Sequence, residues 1–155
     1  MSEEILKALM QLFAIIAKQD EGVVTEEVKY IETFLKSQLS ETQAQEYLDL
    51  FTKKAEVEER KQKRKAKKSG DGGLTKVGDS VRVLGICRKI NRTLNQKQKF
   101  IVLVRLFEMV NTEKKFTEQR MAIIDTVAEV FNIPKETYKE IEHFVISENY
   151  EEFDT

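Results

Sequence analysis

The sequence predicts an all-α fold of about seven helices, and three observations carry that prediction. Apolar residues recur at helical spacing along nearly the whole chain, and no segment alternates with a period of two. The chain has one proline and is 34% charged, which suits helices with solvated outer faces. It also repeats itself at a shift of 93 residues, where Leu9, Met10, Phe13, Ile16 and Ala17 fall on Val102, Leu103, Leu106, Met109 and Val110. Beyond one polar turn, Val23, Val28, Tyr30, Ile31 and Phe34 fall on Phe116, Met121, Ile123, Ile124 and Val127. The expected arrangement is two pseudo-symmetric helical hairpins around two buried central helices.

The first helix, about 3–18, is apolar on nearly every side through Ile5, Leu6, Leu9, Met10, Leu12, Phe13, Ile15 and Ile16. So wide an apolar surface belongs at the centre of a bundle. A polar turn follows, and a second helix opens near Thr25 with Glu26 and Glu27 where the helix dipole favours acids. Its core stripe is Val28, Ile31, Phe34 and Leu35. Ser40-Glu41-Thr42-Gln43 has the form of a capping box and starts a third helix, with Ala44, Tyr47, Leu48 and Phe51 inward. The pattern allows that helix to continue as a charged rod through 60–68.

Ser69 to Gly73 is the best linker in the chain, with glycine at 70, 72 and 73. A fourth helix is expected from Asp79-Ser80, burying Val83, Cys87, Ile90 and Leu94. Helix 96–110 is again apolar almost all round, with Phe100, Val102, Leu103, Leu106, Phe107 and Met109. A helix near 117–131 and one starting at Pro134, a favoured first-turn residue, complete the seven.

Composition narrows the function classes. A chain of 155 residues, 41% hydrophobic with 9 Phe, supplies one domain with a substantial core. One cysteine excludes an internal disulfide and reads as intracellular, and one histidine excludes a multi-histidine metal site. Ser2-Glu3-Glu4 stands where a signal peptide carries basic residues, and no apolar run approaches the roughly 20 residues that span a bilayer. The net charge of −1 hides a strong asymmetry: residues 1–52 carry −6, 53–105 carry +12 and 106–155 carry −7. The basic middle either meets an anionic partner or faces the acidic flanks within the fold.

The turn motifs carry a resemblance. The first copy reads Ala17-Lys18-Gln19-Asp20-Glu21-Gly22-Val23-Val24-Thr25-Glu26-Glu27-Val28, and the second Val110-Asn111-Thr112-Glu113-Lys114-Lys115-Phe116-Thr117-Glu118-Gln119-Arg120-Met121. An apolar helix, an acidic turn and paired acids opening the next helix, all occurring twice, resemble the TerB-like family of tellurite-resistance and related bacterial proteins. The passage Ile90 to Phe100 is similar to that family's entry into its second hairpin. The resemblance implies one helical domain over 1–155 with a basic, glycine-containing insertion near 53–78, standing as an N-terminal module of a longer chain. It implies no catalytic activity and a role as an interaction or regulatory module. The expected setting is a cytoplasmic protein linked to the membrane or to stress responses, including chains with ABC-type ATPase modules. No P-loop occurs in these residues, so the ATPase would be another part of such a chain. The expected partner is a protein or a neighbouring domain.

Two candidate sites follow. Family turns of this type are held to bind metal through their acids, which here correspond to Asp20, Glu26 and Glu113 as carboxylate ligands for a divalent cation. The second copy departs from the pattern: Glu26 is matched by Gln119, and Lys114 and Lys115 crowd the turn. The alternative is a solvated turn whose acids serve only the helix dipole. Lys61, Lys63, Arg64, Lys65, Lys67 and Lys68 form a second candidate, an anion-binding segment for nucleic acid or an anionic membrane surface. Aromatic residues are absent from the run, which argues against single-stranded nucleic acid. Cys87 on its apolar stripe reads as core, and His143 has no nucleophile motif beside it.

Overall fold

Helical periodicity is realised as seven helices in the computed structural model, which describes residues 3–18, 25–69, 73–112, 114 and 116–146. They are α1 (Glu3–Ala17), α2 (Thr25–Gln38), α3 (Glu41–Ser69), α4 (Gly73–Asn91), α5 (Gln96–Asn111), α6 (Glu118–Val130) and α7 (Lys135–Ile146). No strand occurs among the described residues. The all-α expectation holds.

Helix α1 is the centre of the molecule. From Leu9 to Ala17 every residue but Gln11 is buried, and the helix packs against α3, α4, α5 and α6. Its Phe13 ring meets Tyr30 and Phe34 of α2 edge-on, each at 6.4 Å between centroids. Such edge-to-face pairs add about 0.5–1.5 kcal/mol beyond area burial. Helix α5 is the second central element and contacts α1, α2, α6 and α7. Its inner face is Val102, Leu103, Leu106, Phe107, Met109 and Val110, while Phe100 and Val104 are only partly covered. Phe107 is fully buried and meets the Tyr138 ring of α7 at 5.4 Å. Asn111 closes the same contact by donating from Nδ2 to the Val145 carbonyl at 3.0 Å.

Local sequence sets the helix boundaries. Asn95 and Gln98 form a complete capping box at α5: Asn95 Oδ1 accepts the Gln98 N–H and Gln98 Oε1 accepts the Asn95 N–H, both at 2.9 Å. The box expected at Ser40 is half made. Ser40 Oγ accepts the Gln43 N–H at 3.3 Å, but the Gln43 side chain takes the Ser40 hydroxyl rather than its backbone N–H. Thr117 caps α6 by accepting the Arg120 N–H at 3.3 Å. Pro134 sits one residue before α7, where its carbonyl accepts the Tyr138 N–H at 2.9 Å, so it precedes the first turn instead of opening it.

Two boundaries move. Helix α3 runs 29 residues, about 43 Å at the usual helical rise, and so carries the basic run on continuous helical backbone. Helix α4 starts at Gly73 and not near Asp79, leaving only 70–72 between the two helices. Glycine at 73 and 78 lowers helix propensity and makes this stretch read as a linker; the backbone is helical nonetheless.

Candidate functional site

The acidic turns are only partly in view. Asp20 and Glu113 lie outside the described residues, as does Lys115. Glu26 stands exposed in the first turn of α2 with Lys29 Nζ at 3.4 Å, a surface pair of little energetic weight. Gln119, its counterpart in the second copy, is half-buried. Among the described residues no three His, Cys, Asp or Glu side chains converge as a metal site would require. Lys114 adopts φ 53°, the left-handed conformation, just beyond the end of α5.

The neighbouring acid behaves differently. Glu27, expected to serve the helix dipole, is 0% exposed and Arg120 is 1% exposed. Arg120 donates from its two terminal nitrogens to the two Glu27 carboxylate oxygens at 2.7 and 3.2 Å, and from one of them to the Ala17 carbonyl at 3.1 Å. One guanidinium therefore joins the end of α1, the start of α2 and the start of α6. The two charged residues are separated by 93 positions, the repeat shift itself. That signal was available in the aligned turns as opposite charges at one position, Glu27 over Arg120.

The basic candidates Lys61, Lys63, Arg64, Lys65, Lys67 and Lys68 all belong to α3 by backbone, and their side chains lie outside the described residues. No helix among the described residues is long and apolar enough to cross a membrane. Cys87 is fully buried, and burial pushes its thiol up to about 12, so it holds its proton at neutral pH and offers no nucleophile. His143 is exposed on α7.

Sequence reasoning missed a concavity of the described surface. A cleft of about 670 Å³ opens between α1 and α4 with Lys54 of α3 at its edge. Its floor is apolar: Ala8, Ile15 and Ile90 are buried and Ile86 is half-buried. Its rim, among the described residues, carries Lys7, Lys54, Arg82 and Lys89 together with Glu4. Lys7 also pairs with Glu3 at 3.2 Å, both well exposed. Gly85 lies in the cleft wall, and a methyl group added there would meet nothing within 4 Å. Helical spacing gives each of these stripes separately; only packing of α1 on α4 brings them face to face.

A family model described as tellurite resistance protein TerB matches residues 6–143. No curated protein and no solved structure matches the chain.

Proposed function

The chain belongs to the TerB family, and on that premise we propose that it is a non-catalytic helical module that binds another protein or a neighbouring domain and regulates a larger bacterial assembly. The observation that carries this reading is the cleft between α1 and α4, where charged side chains stand over an apolar floor. Concave surfaces with a few convergent polar groups are the usual sites of recognition. The cytoplasmic setting, linked to the membrane or to stress responses through a parent chain with an ABC-type ATPase, is part of the same proposal and rests on the resemblance. So is the pseudo-two-fold relation of the hairpins. It draws support from the Glu27–Arg120 pair at equivalent positions and from the cross-contacts of α1 with α6 and α2 with α5.

Photo-crosslinking in the protein's own cells tests the reading. A benzophenone side chain in place of Lys89, at the cleft rim, is expected to give discrete protein adducts. The same group in place of the exposed Lys135 on α7 serves as the control. Adducts no stronger at position 89 than at 135, or adducts to lipid or nucleic acid alone, would overturn it.

A further inference from the structure

We propose that the Glu27–Arg120 pair is a coupling device, which makes the helix ends of the two repeats open and close as one unit. Whatever steadies or loosens the start of α2 is then felt at the start of α6. The device is separate from the cleft between α1 and α4.

Three helix ends meet at one guanidinium. Arg120 lies in the first turn of α6, and its backbone N–H is the group that the Thr117 cap receives. Its side chain reaches the last residue of α1 through the Ala17 carbonyl, and the first turn of α2 through both Glu27 carboxylate oxygens. Helix α2 packs chiefly on α3, and α6 chiefly on α4. The pair therefore ties together two helix starts whose main supports are different helices.

Burial turns that tie into a coupling, since both side chains are almost fully enclosed. Were the start of α2 alone to lift away, Arg120 would stay in the core with the Ala17 carbonyl in place of a carboxylate. A guanidinium cannot shed its proton there. Were the start of α6 alone to lift away, Glu27 would stay buried without its two-pronged donor. Either half-open state strands a charge in a poorly polarisable surrounding, whereas opening both starts returns both charges to water. The penalty falls on the half-open states alone, so the two starts open together. Glu26 and Lys29 give the contrast: an exposed pair within one helix turn, screened by water and joining nothing beyond α2.

By linkage the effect runs with equal strength in both directions. A contact that holds the start of α2 protects the start of α6. One that loosens α6 releases α2 and, through the Ala17 carbonyl, the end of α1.

The test is amide hydrogen exchange of the full chain by NMR, where exchange reports local opening equilibria. Two changes outside the pair each loosen one helix start. Thr117→Ala removes the α6 cap, and Lys29→Gly weakens the first turn of α2. Each should speed exchange in its own helix about fivefold. Thr117→Ala is also expected to speed Tyr30 and Ile31 of α2 by a similar factor, and Lys29→Gly to do the same to Met121, Ala122 and Ile123 of α6. Lys139 to Glu142 of α7, an element the pair does not touch, should stay within about twofold. In the Glu27→Leu/Arg120→Met protein each change should act on its own helix only. Effects confined to one helix in the wild-type background, an equal effect at α7, or transfer that persists without the pair would overturn the proposal. Where the double variant does not fold, reciprocity of the two single changes decides: transfer in one direction alone overturns it.

Discussion

Replacing Arg120 by methionine removes a charge that three hydrogen bonds hold at the junction of α1, α2 and α6. Glu27 is then left as an acid with 0% exposure, and the Ala17 carbonyl loses its donor. Breaking a buried pair from one side costs about 3–5 kcal/mol, because the remaining charge loses the two-pronged partner that offsets its burial. Glu27→Leu should cost at least as much, since a guanidinium stranded in the core cannot shed its proton. Removing both partners leaves neither charge behind. The double variant Glu27→Leu/Arg120→Met should lie within about 1–3 kcal/mol of wild type, the residue being the orphaned Ala17 carbonyl. Urea unfolding of the four proteins, with the midpoint read at constant slope, gives the coupling energy directly. Single variants each costing under about 1 kcal/mol, or a double variant costing the sum of the two, would refute the account of this pair as a buried, mutually dependent unit.

Four further outcomes are expected. Phe107→Ala should destabilise the domain by about 3–5 kcal/mol in the same urea assay, because the ring is fully buried against Tyr138; a variant as stable as wild type would contradict that packing. Stability should fall above pH 9. The Cys87 thiol ionises near its ordinary 9.0 when unfolded but only near about 12 when folded, so the stability present below pH 9 is lost as pH rises between them. The slope is about 1.4 kcal/mol per pH unit, and Cys87→Ala should flatten it. Half-buried Tyr30 and Tyr138, both raised above 10.0 chiefly by desolvation, steepen the loss further up. Any affinity for duplex DNA or anionic vesicles should be weak, salt-sensitive and confined to the run from Lys61 to Lys68. Neutralising four of its lysines should reduce the log–log salt slope on duplex DNA by up to about 0.9 per lost contact, and binding that survives high salt would place it elsewhere. Ca²⁺, Mg²⁺ or Mn²⁺ at about 10 mM should leave the melting temperature unchanged, given an exposed Glu26 paired with Lys29. A shift that Asp20→Asn abolishes would establish the acidic turn as a metal site.

Much of the fold was legible because burial writes itself into helical spacing. An α1 apolar on nearly every side has only one place to go, and α5 carries the same message more weakly. The half-made box at Ser40 and the complete one at Asn95 show the limit of motif reading. Both have the right spacing, and side-chain geometry decides which closes. Gly70 to Gly78 misled for a different reason: glycine marks a low local preference, while the backbone of α4 follows its context from Gly73 onward. Glu27 was hidden by its position. Acids in a first helical turn are ordinarily solvated, and the partner that buries this one lies 93 residues away. The groove was hidden by construction, since it belongs to neither α1 nor α4 alone.

Ala17 and Glu27, ten positions apart, both hold the same guanidinium. The two ends of the stretch between them are thus clasped by a residue from elsewhere in the chain. Lengthening a clasped loop is cheap, about 0.6 kcal/mol for each doubling, whereas losing the clasp is not. Insertions between Ala17 and Glu27 should therefore cost the bundle less than loss of Arg120 does.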